Sequence, residues 1–286
     1  VTYKTIPGPS LTLTESTIFA GTDAKKGVPV QIESVRGVHE VVIYRIENGS
    51  EVEALRETKN GEHTLNYAPE IDFTEATSKL KVVVSDGREG KEAIGYMKAY
   101  VNMDVATLNV GSQPLANNAH VKYPDAFGMV SLNDLKTYSV DYAIANEVNA
   151  KNVDFKFYCF GASGSPRLYS MDNTGKDGEF SGSTGKLSAI KVKNLTRFAI
   201  LSNFDYENAT VASISSEILS SSIAQSLLDP IAVGNVIAFR TGGSSAAGGG
   251  RIGVMKVINI TEPKELVSNN ATARVMTVEI KFPKKK

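Results

Sequence analysis

The chain contains no tryptophan, a single cysteine and three histidines in 286 residues. With Cys159 alone, an intrachain disulfide and a cysteine-built metal cluster are both excluded. A small secreted scaffold held by cross-links is therefore the wrong class, and the chain must stand on its apolar core. His39, His63 and His120 lie far apart, and no two follow a metal-ligand spacing such as H-x-x-x-H. Only His120 lies beyond residue 103, so a Ser-His-Asp or Cys-His arrangement in the C-terminal region would have to recruit it. Cys159 falls on the apolar face of a predicted strand and reads as a core thiol. No charge of one sign dominates: Lys+Arg and Asp+Glu are 31 each. That balance removes the basic field that nucleic acid or an anionic membrane surface requires, and the closing "KFPKKK" reads as a solvated tail. No apolar run approaches the roughly 20 residues of a membrane-spanning helix.

What is present is strand patterning. A chain of this length, with 42% hydrophobic and 22% charged residues, suits two ordinary domains. The opening "VTYKTIPGPS" is a polar tether over 1–10, because Pro7 and Pro9 around Gly8 fit neither a helix nor a central strand. The start on Val1 suggests a mature or trimmed chain. Residues 11–103 then show seven short strand-like runs, at 11–14, 28–35, 38–46, 51–58, 62–68, 79–86 and 92–101. Between them, "ENGS", "KNGE" and "SDGREG" supply the Asn-Gly and Asp-Gly pairs that tight hairpins need. Seven strands at this spacing without a long helix predict an antiparallel β-sandwich.

After Met103 the texture changes. "VATLNVGSQPLANNAHVKYPDAFG" reads as a polar linker entering a second domain that covers 104–286. Strands are predicted at 137–145, 153–161, 167–171, 187–193 and 197–202. On the second of these, Val153, Phe155, Phe157 and Cys159 share one face, with Asp154, Lys156, Tyr158 and Phe160 on the other. Ile214, Ile218, Leu219, Ile223, Leu227 and Leu228 recur at helical spacing, predicting one helix over about 213–228 that ends before Pro230. Three strands close the chain at 233–241, 251–260 and 273–282. In the last, Met276, Val278, Ile280 and Phe282 point inward while Thr277, Glu279 and Lys281 point out. The fold class is mainly β: an immunoglobulin-like sandwich followed by a β-rich domain with one helix.

Two resemblances accompany this reading. "APEIDFTEATSKLKVVVSDGREGKEAIGYMKAYV" resembles the last third of bacterial immunoglobulin-like domains: an acidic turn, a strand, an Asp-Gly hairpin and a long closing strand. "LKTYSVDYAIANEVNAKNVDFKFYCFGASGSPRLYSMDNTG", with "VGNVIAFRT", "RIGVMKVINI" and "TVEIKF", is similar to the C-terminal region of cell-surface lipoproteins of gut Bacteroidetes. This second resemblance implies an exported protein at the outer membrane or cell surface, attached through a lipid anchor outside this sequence. It implies no particular activity.

Four features invite chemistry. "TGGSSAAGGGRIG" spells G-x-G-x-x-G at Gly248, Gly250 and Gly253, but a dinucleotide fingerprint needs a helix after the glycines. Here a strand-like run follows, so the stretch reads as a flexible hairpin insertion whose removal should leave the fold intact. "MDNTGKDGEFSG" gathers Asp172, Asn173, Asp177 and Glu179, oxygen ligands of the kind Ca²⁺ takes, although the spacing is not that of an EF-hand and a solvated hairpin is the competing reading. Tyr142, Tyr158 and Tyr169 could stack against a sugar ring in the absence of Trp, or could simply pack. Finally, glycoside hydrolysis would need two carboxylates facing across a cleft, which sequence does not show. The expected function is ligand binding, of a glycan or another surface protein, through the C-terminal domain with the first domain as spacer and no cofactor beyond a Ca²⁺ ion. The alternatives are a structural or adhesive surface protein and a carboxylate-dependent glycan hydrolase.

Overall fold

A computed structural model describes residues 5–159, 164–262, 265–266 and 273–285. Residues 1–4 of the tether, Phe160 and Gly161 of the predicted strand, and Lys286 lie outside them. The chain divides into two compact units. One holds the sequence up to Met103 together with Glu207–Ser213 and the stretch from Lys284; the other holds Asp104–Tyr206 and Ile214–Pro283.

The first unit is built from β1 (Ser10–Leu13), β2 (Thr17–Ala20), β3 (Lys26–Gly27), β4 (Val30–Glu33), β5 (Glu40–Glu47), β6 (Ser50–Thr58), β7 (Thr64–Tyr67), β8 (Glu70–Ile71), β9 (Thr77–Ser85) and β10 (Ala93–Val101). All seven predicted strands are there; β2 is an addition. One sheet runs β1-β4-β7 and the other β2-β10-β9-β5-β6, with β3 and β8 pairing separately. The N-terminal segment splits between the sheets, β1 antiparallel to β4 and β2 parallel to β10. This is the arrangement of an immunoglobulin-like sandwich. Its core lacks the usual disulfide and tryptophan and fills the space with aliphatics: Val30 and Ile32 meet Ile43, Val82, Val84 and Met97. The hairpins turn where the sequence places Asn-Gly and Asp-Gly, with φ of 50° at Asn48, 82° at Gly49, 87° at Gly61 and 83° at Gly87. Arg88, in the β9–β10 hairpin, forks onto the buried Asp86 carboxylate and donates to the carbonyls of Ile6 and Pro7. The end of the tether is thereby fastened to the sandwich.

The second unit contains β11 (Met103–Gly111), β12 (Met129–Ser131), β13 (Lys136–Tyr138), α1 (Val140–Ala145), α2 (Glu147–Lys151), β14 (Phe155–Cys159), β15 (Pro166–Ser170), β16 (Arg197–Leu201), α3 (Val211–Glu217, whose first turn falls in the first unit), β17 (Leu227–Leu228), β18 (Val236–Arg240), β19 (Ile252–Ile260) and β20 (Val275–Pro283). Two five-stranded sheets, β11-β20-β19-β18-β16 and β13-β12-β14-β15-β17, enclose one core. Val110, Ile237, Met255, Val278 and Phe282 face Phe155, Phe157 and Leu168 across it. A third layer of α1, α2 and irregular turns covers the far side of the second sheet, where Tyr158, Tyr169, Met171 and Phe180 form their own cluster. Hence β14 is buried at every residue, not on one face only.

Several expectations change. The predicted linker begins as β11, an edge strand. Residues 137–145 are a short strand followed by α1, which Ser139 caps by accepting from the Tyr142 N–H. The run 187–193 contains a 3₁₀ turn at Leu187–Ala189 and no strand. The single long helix is replaced by three short ones, and α3 stops at Glu217. Beyond it, Ser220–Ser222 form a 3₁₀ turn and Leu227–Leu228 pair with β15. Serines compete with the helix for backbone hydrogen bonds, so the apolar spacing alone does not carry the helix onward. Lys281 does not point to solvent: it is fully buried, with its ammonium on the Tyr206 carbonyl and 4.2 Å from the Tyr206 ring.

The glycine-rich stretch is a hairpin between β18 and β19, as its strand-like sequel suggests, but it is not loose. The Thr241 hydroxyl donates to the Gly248 carbonyl and accepts from the Arg251 N–H at 2.9 Å. Ala246 N–H reaches the Lys151 carbonyl at 2.9 Å, Ser244 Oγ donates to Asn194 Oδ1 at 2.6 Å, and Ala247 lies in the main core. Excising Gly243–Gly249 is therefore expected to lower stability by at least about 2 kcal/mol, through lost hydrogen bonds and an opened core, in urea unfolding followed by tyrosine fluorescence.

Candidate ligand site

The acidic loop after β15 places its four oxygen-bearing residues on separate partners. Asp172 takes a two-pronged bond from Arg197, 2.8 Å at each oxygen. Burial alone would raise the Asp172 pKa, but the Arg197 fork and the Ser170 hydroxyl hold it below the ordinary range. Asn173 donates its side-chain amide to Ser226 Oγ and offers its carbonyl to Lys156. Asp177 lies 2.6 Å from the Lys156 ammonium, both side chains buried, with Lys193 at 3.6 Å on its other oxygen. Glu179 accepts from the Tyr158 hydroxyl at 2.5 Å and from Lys176 at 2.8 Å. Each carboxylate expected to hold Ca²⁺ is thus neutralised by a lysine or arginine. Among the described residues, no group of three or more His, Cys, Asp or Glu is placed to hold a metal ion.

The tyrosines also separate. Tyr158 and Tyr169 are buried under the third layer, edge to face at 5.7 Å, and present no ring to solvent. The strand pattern places Tyr158 opposite the core face, but α1, α2 and the turns cover that side too. Tyr142 is half-buried and stacked on Tyr138 at 4.0 Å, its hydroxyl accepting from Asn152 Nδ2. Tyr138 in turn donates to Asp134 at 2.6 Å. These bonds, with those of Asn152 and Asn133, outweigh the desolvation that would raise Asp134 and keep its carboxyl low.

Asp154, nearby on the chain, behaves in the opposite sense. It is completely buried and receives the Leu132 N–H at 2.8 Å and the Ser245 hydroxyl, with no cation beside it. Burial pushes its pKa up to about 6, and the Asp134 charge adds to the rise. A raised and a lowered carboxyl can divide acid and nucleophile roles, yet Asp154 is sealed from any substrate. Its hydrogen bonds instead join the end of β12 to the glycine-rich hairpin.

The concave site of this unit lies elsewhere, at a recess of about 550 Å³. One wall is the end of β16 and the loop after it, with Ile200, Ser202, Asn203 and Phe204; the other is the segment following α3, with Glu217 and Gln225. Backbone bonds between Phe198 and Gln225 hold the walls together, and Arg240 donates to Ser220 Oγ and the Ile223 carbonyl. Buried Ile218 and Ile223 anchor the segment, which leaves Leu219 exposed at the rim. The lining has one carboxylate, Glu217, and no lysine or arginine. Among the described residues none partners the side chains of Ser202, Asn203, Glu217 or Gln225. The recess offers amides, hydroxyls and apolar surface, and lacks the facing carboxylate pair that hydrolysis would need. None of its residues was expected from sequence; the signal was the serine run "SEILSSS", which stops the helix early and opens the space.

No protein-family model matches the chain, and no curated protein matches it.

Two predictions follow from the buried charges. Asp177→Ala strands the Lys156 ammonium and should cost about 3–5 kcal/mol in chemical denaturation, whereas the double variant Lys156→Met with Asp177→Ala should recover most of the loss. Asp154 binds its proton more tightly folded than unfolded, where its pKa is the ordinary 3.8. Its contribution therefore favours the fold below pH 4 and is lost as pH rises through about 6, amounting to roughly 3 kcal/mol. Stability measured against pH should lose that component in Asp154→Asn, with the variant gaining over the parent at pH 8.

Proposed function

We propose that the protein is a non-catalytic, exported cell-surface protein that binds a neutral glycan in the recess between β16 and the segment after α3. The immunoglobulin-like unit serves as a spacer, and a lipid anchor beyond this sequence attaches the chain to the outer membrane of a Gram-negative bacterium. One observation carries the binding reading: a recess of about 550 Å³ with unpartnered amide, hydroxyl and carboxylate groups beside Ile200 and Phe204. Sugar hydroxyls are matched by such planar polar groups, and the C–H faces of the ring by an apolar wall. The sequence resemblance to Bacteroidetes lipoproteins supports the surface location.

Affinity electrophoresis and calorimetry against neutral plant and host polysaccharides test the reading. A binder should be found, and Phe204→Ala or Asn203→Ala should weaken it about tenfold without shifting thermal unfolding by more than a few degrees. A panel with no binder, or binding untouched by both substitutions, would overturn the proposal.

A further inference from the structure

The immunoglobulin-like unit carries a second, chemically different recess. It measures about 380 Å³ and lies where β2 and its following turn meet the end of β10. Three lysines line it, Lys25, Lys26 and Lys284, against one acid, Asp23. The acid is turned back on the chain, so close to Gly21 that a Cβ there would come within 2.5 Å of its Oδ1. Lys25 has a distant, exposed counterion in Asp72 at 3.9 Å, too weak and solvated to neutralise it. A chain with no net charge thus gathers excess positive charge around one concavity.

The wall of this concavity is aromatic. Phe19 is 54% exposed, an uncommon position for phenylalanine, and lies 5.4 Å from the ring of Tyr100. Asn102 cannot readily supply base-edge recognition, because its amide is committed to Thr22 and Glu75. What remains for a ligand is an apolar ring face and ammonium donors. A sugar ring that stacks its C–H face on Phe19 and directs an anionic substituent to the lysines satisfies both.

We propose that this recess binds an acidic saccharide, a pyranose ring bearing sulfate or carboxylate, and that the immunoglobulin-like unit is therefore a binding module as well as a spacer. The site is independent of the recess in the second unit. Phe204 and Asn203 substitutions leave it intact, so the two proposals fail separately.

Calorimetric titration of the full chain tests it with a sulfated galactose oligosaccharide, its desulfated counterpart, trigalacturonate, sodium sulfate and AMP. The sulfated oligosaccharide or trigalacturonate should bind saturably, and more weakly as salt rises. The double variant Lys25→Ser, Lys26→Ser and the single variant Phe19→Ser should each lose about tenfold in affinity, with unfolding curves unchanged because all three side chains are exposed. Absence of saturable binding by both acidic saccharides overturns the proposal. So does equal binding of the desulfated ligand, equal or tighter binding of sodium sulfate or AMP, or wild-type affinity in the variants.

Discussion

Burying both faces of β14 is the constraint on which the second unit depends. A strand covered on one side by the main core and on the other by a third layer must carry an apolar group at every position, or neutralise whatever else it brings. Phe155 and Phe157 meet the first requirement on one side, Tyr158 on the other. Lys156 violates it, and the acidic loop is arranged around that violation. Asp177 comes within 2.6 Å, the Asn173 carbonyl within 3.0 Å, and the Tyr169 and Phe180 rings lie about 6 Å from the ammonium. The sequence "MDNTGKDGEFSG" is thus rich in oxygen ligands because it contains the counterion of a buried lysine and an arginine partner for β16. The same composition that suggests an exposed cation site serves internal ion pairing.

The three glycines of G-x-G-x-x-G have an equally local explanation. Gly248 and Gly250 adopt φ of 93° and 75°, where a side chain is strained. Gly253 lies in β19 beneath two rings: a Cβ there would approach Phe239 to 2.4 Å and Phe282 to 2.7 Å. The first two make the turn and the third makes room for the aromatic pair. Because the turn also fills a gap in the core with Ala247 and joins Asn194 through Ser244, it belongs to the packed body of the unit.

The legibility of the sequence follows from which interactions set each element. Hairpins governed by Asn-Gly and Asp-Gly, and strands such as β9 and β20 with strict alternation, depend on nearest neighbours and were readable to within a few residues. β2 escaped because four residues with one buried apolar side chain, Ile18, give no period. Lys281 and Tyr158 were placed on outward faces by alternation, and only a covering layer from distant sequence buries them. The concave sites were not readable at all. Ser202 and Gln225 come together through the Phe198–Gln225 bridge, and Phe19 meets Tyr100 through a parallel pairing across some 80 residues of chain.

The recess in the second unit arises from the early end of α3. Had the apolar spacing from Ile214 to Leu228 continued as one helix, Leu227 and Leu228 would not reach β15, and Ser220–Ser222 would not turn back toward Arg240. The helix stops because serine side chains bond their own backbone, as Ser222 does to the Leu219 carbonyl at 2.7 Å. The chain then crosses the end of β16 as an irregular segment held at Ile218, Ile223 and Gln225, with polar side chains between those anchors left facing solvent. A regular helix would present a continuous ridge there. An interrupted one leaves a concavity lined by groups with unspent hydrogen-bonding capacity, and that is the physical basis for assigning ligand binding to this edge of the fold.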